Sequence, residues 1–359
     1  MGSKLRPLYD KLYIGVETYL LAQEGRRDAK KYARGLGKNP EVEEKYADLI
    51  RPYWRRFKVP VPKKYWFTLF ANKNQPFSAQ YIPDDLWYGH IIPHYNNLIF
   101  AKALQDKCLH NILFSDVKRP ETVVKNVAGV FYDDDLNLLT RQQAVARCHD
   151  AGRIVIKPSV GSGQGHSIRF LESGSLSDRE IEDIFRQYGQ NYIVQKKLAQ
   201  HPELARFNPS SLNTVRVITF LHNDRVHILS AVLRTGGAGS EVDNTSQGGF
   251  QITIRPDGHL MPTGFSHAGG RWHYDDKAAD GLAIAGLAIP SYDRIIDTVR
   301  AQAARMGHFK IIGWDMAVDT EGMPVLVEYN VIPGQNQESD GPTFGALTDE
   351  VLEEVFGRR

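Results

Sequence analysis

Cysteine is almost missing from this chain. Its 359 residues include two, Cys108 and Cys148, too few for a disulfide framework and not spaced as metal ligands. No apolar run approaches the roughly 20 residues that a membrane-spanning helix needs, and no apolar stretch near the N-terminus reads as a secretory signal. Internal repeats and low-complexity tracts are lacking. Net charge is also close to absent, because Lys+Arg 44 against Asp+Glu 42 leaves +2. These absences exclude a disulfide-knotted, fibrous or membrane-spanning protein. They lead us to expect a soluble, reduced, cytoplasmic one.

What is present is ordinary globular composition, 42% hydrophobic and 24% charged, with enough length for two or three lobes. The charge is uneven. Residues 1–65 hold 16 Lys/Arg against 8 Asp/Glu, a local excess of +8. This region reads as helical, with Leu8, Tyr9, Leu12, Tyr13, Val16, Tyr19 and Leu20 at the spacing of one apolar helix face. A basic stretch follows: Arg26, Arg27, Lys30, Lys31, Arg34 and Lys38. Residues 65–95 read as an irregular, aromatic-rich connecting layer. Beyond it, a helix is expected over 96–109, and a capping box at Thr140 and Gln143 opens another. Short β-branched strands then alternate with turns, so antiparallel hairpins predominate and the class is α+β. Cys148-His149 reads as a helix end. His267, His273 and the acidic run Asp133-Asp134-Asp135 read as solvated surface.

Two segments carry chemistry. A short apolar strand ending in Lys157-Pro158 runs into Ser159-Val160-Gly161-Ser162-Gly163-Gln164-Gly165-His166 and then into another strand. Alternate glycines let backbone N–H groups approach a phosphate chain. A strand after the glycines excludes the nucleotide P-loop and the dinucleotide fingerprint, both of which require a helix there. The second segment joins Gly313-Trp314-Asp315 to Glu328-Tyr329-Asn330 through a turn. A hairpin centred between Glu321 and Gly322 sets Asp315 opposite Glu328, with Asn330 on the same face. Two facing carboxylates and an amide are hard oxygen donors of the kind Mg²⁺ takes. Between these segments, Arg216 and Arg234 interrupt apolar strands and should meet carboxylate or phosphate. The turn-forming Asn244 and Gly248-Gly249 lie close by in sequence.

The order of these motifs resembles the ATP-grasp superfamily, and more narrowly its sugar-transfer-associated members. The resemblance runs over about residues 96–345, from the Lys157 loop through Gln195-Lys196-Lys197-Leu198, Asn213 to Arg216, Arg234, Val242-Asp243-Asn244, Asp315 and Glu328 to Asn330, ending at Gln335. It implies an ATP-grasp fold whose two α+β lobes sandwich ATP, with an extra helical preface. The divisions would be a basic helical region 1–95, a first lobe 96–190 with a glycine-rich lid, and a second lobe 191–359.

By the same resemblance, Lys157 and the lid residues Ser159, Gly161, Ser162, Gly163, Gln164 and Gly165 would meet the phosphates. Gln195, where many relatives carry Glu, together with Lys196, Lys197 and Leu198 would hold adenine. A second phosphate lysine would be Lys102, with Lys107 or Lys125 as replacements. Asp315, Glu328 and Asn330 would hold Mg²⁺, or alternatively Mn²⁺. Arg216 and Arg234 would serve catalysis, and Asn244, Gly248 and Gly249 the substrate. The implied reaction is ATP-dependent ligation of a carboxylate to an amine through an acyl phosphate, in glycan modification or a related pathway. A sugar or polyol kinase and a non-catalytic ATP-binding regulator are the alternatives. The partners would be small-molecule or glycan substrates rather than nucleic acid, with electrostatic docking through the basic preface as a further expectation.

Overall fold

The computed structural model describes residues 2–71, 76–161, 167–237, 239–241, 249–266 and 273–357, without the side chains of 2–13 and 338–339. All strand pairings within its two sheets are antiparallel. The first sheet has the order β3-β2-β1-β6-β4-β5. Its strands are β1 (Thr122–Val127), β2 (Val130–Tyr132), β3 (Leu138–Leu139), β4 (Arg153–Pro158), β5 (Arg169–Glu172) and β6 (Tyr192–Lys196). Helices Arg141–Ala151 and Asp178–Tyr188 supply Ala144, Val145, Ile181, Ile184 and Phe185 to a core with Val124, Ile154, Ile156 and Val194. The capping box at Thr140 and Gln143 forms as expected, and Ser177 with Glu180 makes a second one.

The second sheet has the order β11-β10-β9-β8-β7-β12-β13. It comprises β7 (Thr214–His222), β8 (Arg225–Thr235), β9 (Phe250–Thr253), β10 (Gly264–Ser266), β11 (His273–Asp275), β12 (Ile311–Val318) and β13 (Pro324–Asn330). Both of its faces are covered. Helix Tyr292–Arg305 and residues Ala101, Phe114 and Val117 pack with Val215, Val217, Leu233, Ile312, Trp314 and Met316 on one side. On the other side the N-terminal region and helix Thr348–Phe356 pack against Ile218, Phe220 and Ile311. Double coverage explains why all of β12 is buried.

Several expectations change here. The helical N-terminal region is present, and its Trp54, Trp66, Phe67, Tyr81 and Trp87 share one core with β7, β12 and the last helix. The division at 190 falls one strand early: β6 pairs with β1 and β4 of the first sheet. Among the described residues of 65–95, short helices at Lys64–Phe70, Asp84–Leu86, Trp87–Ile91 and Ile92–Tyr95 stand where an irregular layer was expected, with a non-helical stretch over 76–83. The single helix expected over 96–109 is instead a 3-10 turn at Leu98–Phe100, a helical turn at Ala101–Leu104 and another 3-10 turn at Lys107–Leu109. Asp106 breaks it, because its carboxylate accepts the Cys108 N–H at 2.9 Å and caps a new turn.

The acidic run does not simply face water. Asp134 lies 3.2 Å from the buried Lys125 ammonium and Asp133 lies 3.5 Å from Arg147. On the first helix, Gly2–Leu36, the described part of the expected apolar face, Val16, Tyr19 and Leu20, is not the buried one. Thr18, Ala22, Ala29 and Ala33 are buried, whereas Val16, Tyr19 and Leu20 are exposed.

Candidate nucleotide and metal site

The hairpin of β12 and β13 sets the centre of the site. Near the turn its pairs are Val318 with Pro324 and Met316 with Leu326, so the turn centres on Glu321 itself. That register alone would set Asp315 opposite Val327. A bulge between Asp315 and Met316 takes up Val327, and Asp315 pairs with Glu328, Trp314 with Tyr329 and Gly313 with Asn330. The expected pairing is therefore present, through a different turn and an extra residue.

On its other side Asp315 pairs with Arg216 of β7. The Arg216 guanidinium donates from Nε to Asp315 Oδ1 and, at 2.6 Å, from Nη2 to Oδ2. Arg234 Nη1 lies 3.5 Å from the same carboxylate, and Asn330 Nδ2 donates to it at 3.4 Å. Asp315 is 7% exposed. Burial by itself would raise its pKa, but Arg216 foremost, then Arg234 and Lys107, hold it below the usual carboxylate range. Both arginines thus meet the carboxylate that their position in apolar strands calls for.

Glu328 has its own cation. Lys107 is buried, and its Nζ lies 3.2 Å from Glu328 Oε1. The 3-10 turn opened by Asp106 presents it, and its backbone N–H donates to Ser159 O at 2.9 Å. Of the three upstream lysines, this is the one brought to the acidic pair. Lys102 is exposed on the preceding turn. Lys125 is tied to Asn111 Oδ1 and Asp134 O at 2.8 and 2.7 Å. His110, one turn after Lys107, is buried with no hydrogen-bond partner at Nε2. Burial, reinforced by Lys107, Lys157, Arg119 and Lys125, pushes its pKa well down and keeps the imidazole neutral. Nothing in the local sequence marks His110 out.

A cavity of about 100 Å³ opens beside this pair, between the lobes. Lys157, Gln195, Lys196, Lys197 and Leu198 line it from the first lobe, and Leu212, Thr214, Glu241 and Val327 from the second. Val327, the residue the bulge takes up, therefore joins the cavity to the acidic pair. Within the cavity wall, Lys196 pairs with Glu121 at 2.7 Å and Lys197 with Glu241 at 3.2 Å. The buried Gln195 donates from Nε2 to Pro120 O at 3.4 Å, and its Oε1 has no hydrogen-bond partner.

Ser159 is wholly buried and is held by its backbone, with its N–H on Asn191 O and its carbonyl on Lys107 N–H. Gly161 turns the chain at φ +69°, a region open to glycine. Gly249 precedes β9. Ser162, Gly163, Gln164, Gly165, Asn244, Gly248 and His267 lie outside the described residues.

The loop after Asn330 is braced by the N-terminal region. Trp87 Nε1 donates to Pro333 O at 2.8 Å. Gln335 Nε2 donates to Ile82 O at 3.0 Å and to Asp84 Oδ1 at 2.8 Å. Pro333 in turn closes over Gly313, where a Cβ would come within 2.9 Å of Pro333 Cβ and 3.5 Å of Arg216 Cδ. Gly313 and residues 82–87 therefore shape the site, a role no local pattern announced.

Among the described residues, no cluster of three or more His, Cys, Asp and Glu side chains gathers. The third donor beside Asp315 and Glu328 is the Asn330 amide. Two carboxylates at paired strand positions and an amide fit a hard divalent cation completed by phosphate and water oxygens.

The family model for sugar-transfer associated ATP-grasp proteins matches residues 89–338. Among solved structures, the chain is similar to an L-amino acid ligase from Bacillus licheniformis (13% identity, TM-score 0.35, 63% of this chain and 40% of that one). It is also similar to the ATP-grasp ligase PsnB complexed with a minimal precursor (18%, 0.41, 72% and 64%). A third is D-alanyl-alanine synthetase A from Vibrio cholerae O1 biovar eltor (10%, 0.41, 71% and 65%). The chain spans less than two thirds of the length of each. No curated protein matches it. Among the described residues, no helix is long and apolar enough to cross a membrane.

Proposed function

The chain belongs to the sugar-transfer associated ATP-grasp family, and on that premise we propose that it is an ATP-dependent carboxylate–amine ligase. The observation that carries this reading is the grouping of Asp315, Glu328 and Asn330 with Arg216, Arg234 and Lys107, next to a cavity lined by Lys157 and Gln195 to Leu198. ATP would lie between the lobes, with its base in that cavity and its phosphates toward Lys157 and Lys107. Asp315, Glu328 and Asn330 would hold Mg²⁺, or Mn²⁺, which when bound neutralises phosphate charge.

The chemistry needs no protein nucleophile. A substrate carboxylate oxygen attacks the γ-phosphorus, the bond to the β,γ-bridging oxygen breaks, and ADP leaves with that electron pair. Lys157 and Lys107 offset the charge spread over the transferring group. An amine then attacks the acyl carbon, loses a proton to solvent and expels inorganic phosphate. Arg216 and Arg234 would donate hydrogen bonds to the tetrahedral oxyanion. The substrates we envisage are an acid and an amine of glycan modification, worked on in the cytoplasm where ATP is supplied. The glycan setting rests on the family's description alone.

A screen of amino acids and uronic acids for ADP release, with mass spectrometry of the product, tests the proposal. Release that requires both an acid and an amine supports it. Release with a hydroxyl acceptor alone would overturn it in favour of a kinase.

A further inference from the structure

The first helix buries a narrow strip of small residues and turns a longer one outward. At 100° per residue, Val16, Tyr19, Leu20, Arg27, Lys30 and Arg34 share a sector of about 100°, roughly a third of a turn from Thr18, Ala22, Ala29 and Ala33. The exposures agree. Val16 is 54%, Tyr19 61% and Leu20 61% exposed, and the three cations are exposed as well. Along about 27 Å of helix, one outward face is thus apolar in its first part and cationic in its second. We propose that this face is a docking surface for an anionic lipid bilayer, with Val16, Tyr19 and Leu20 entering the interface and Arg27, Lys30 and Arg34 lying on the headgroups.

Charge selects this occupant. The surrounding residues 1–65 carry +8. Arg27 has only loose, exposed neighbours, Glu24 at 3.8 Å and Asp28 at 3.6 Å, and both acids lie off the outward sector. A second copy of the helix would set cations on cations if parallel, or cations on the apolar half if antiparallel. A soluble polyanion would satisfy the cations and leave three large apolar side chains in water. A lipid surface with acidic headgroups satisfies both halves at once.

The test is sedimentation of the full chain with phosphatidylcholine vesicles, with and without phosphatidylserine, across a salt series. The wild type should bind only the phosphatidylserine vesicles, and less so as salt rises. Reversing Arg27, Lys30 and Arg34 to Glu should weaken binding about 100-fold. Val16→Ser, Tyr19→Ser and Leu20→Ser together should abolish it at every salt concentration. Both variants change exposed positions remote from the site, so circular dichroism and ADP release should stay at wild-type levels. Equal binding to both vesicle types, or to neither, would overturn the proposal. So would a serine variant that binds like wild type, which would indicate a soluble polyanion, or one that turns a dimer into a monomer, which would indicate a second copy.

Discussion

Asp315 and Glu328 face each other on adjacent buried strands, yet each carboxylate already has its own cation: Arg216 for Asp315 and Lys107 for Glu328. Facing carboxylates would otherwise repel at close range. The pair is thus held ready with its charge balanced, and a divalent cation would join an arrangement of opposite charges rather than an open pair of acids.

Replacing Asp315 with Asn separates two effects. On the proposal that Asp315 helps to hold the metal, its loss should lower ADP release by about 10²–10³-fold. As the partner of two mostly buried arginines, its loss should also destabilise the fold by about 3–5 kcal/mol. Steady-state ADP release, paired with urea unfolding of the same preparation, measures both. Unchanged turnover would show that Asp315 takes no part in catalysis.

The upstream lysines can be told apart directly. Lys107→Met should weaken ATP affinity by about 10–100-fold, the scale of one lost hydrogen bond to a charged group. Lys102→Met, at an exposed position, should change it by less than about threefold. Nucleotide titration by calorimetry decides the matter, and the reverse order of effects would return the phosphate role to Lys102.

Gly313→Ala tests the closed contact with the following loop. The added methyl meets Pro333 at 2.9 Å, so the loop carrying Pro333 must shift, while Arg216 Cδ at 3.5 Å stays in ordinary contact. Overpacking of this kind costs about 1–3 kcal/mol. A lower melting temperature is expected, accompanied by a larger fall in turnover than the stability loss explains. A variant with wild-type melting and turnover would mean that the loop gives way freely.

Asp84 makes a pH prediction. Burial, only partly offset by the Gln335 hydrogen bond, raises its pKa to about 6. A carboxyl with a raised folded pKa binds protons more tightly in the native state. Its contribution is therefore most favourable at acidic pH and is lost as pH rises toward and beyond about 6. Asp84→Asn keeps an acceptor for Gln335 and removes the ionisation. It should raise the melting temperature at neutral pH and leave it unchanged in acid. A destabilising effect at neutral pH would show that Asp84 works as the anion.

Much of the site could be read along the chain because it is built from strand alternation. Glu328 and Asn330 share a face by the two-residue period, and a hairpin restricts what can lie opposite them. The pairing with Asp315 came from a symmetric turn, whereas the structure reaches it through the Val327 bulge. Lys157 and Gln195 to Leu198 converge on one cavity because β4 and β6 are neighbours, a relation the local pattern does not carry. The first helix shows the opposite case. Its strongest apolar periodicity points to Val16, Tyr19 and Leu20, but the small residues about a third of a turn away permit the closest packing, and the structure buries those.

The sequence by itself determined the α+β class, the antiparallel hairpins, the shared face of Glu328 and Asn330, the capping box at Thr140 and the order of motifs shared with the family. All of these follow from periodicity and residue chemistry within short windows. Tertiary structure alone decided which lysine reaches Glu328, that the N-terminal region completes the second lobe, and that Pro333 closes over Gly313. Those outcomes depend on contacts between residues more than 200 positions apart, such as Lys107 with Glu328 and Trp87 with Pro333. Only packing around a common core brings such pairs together.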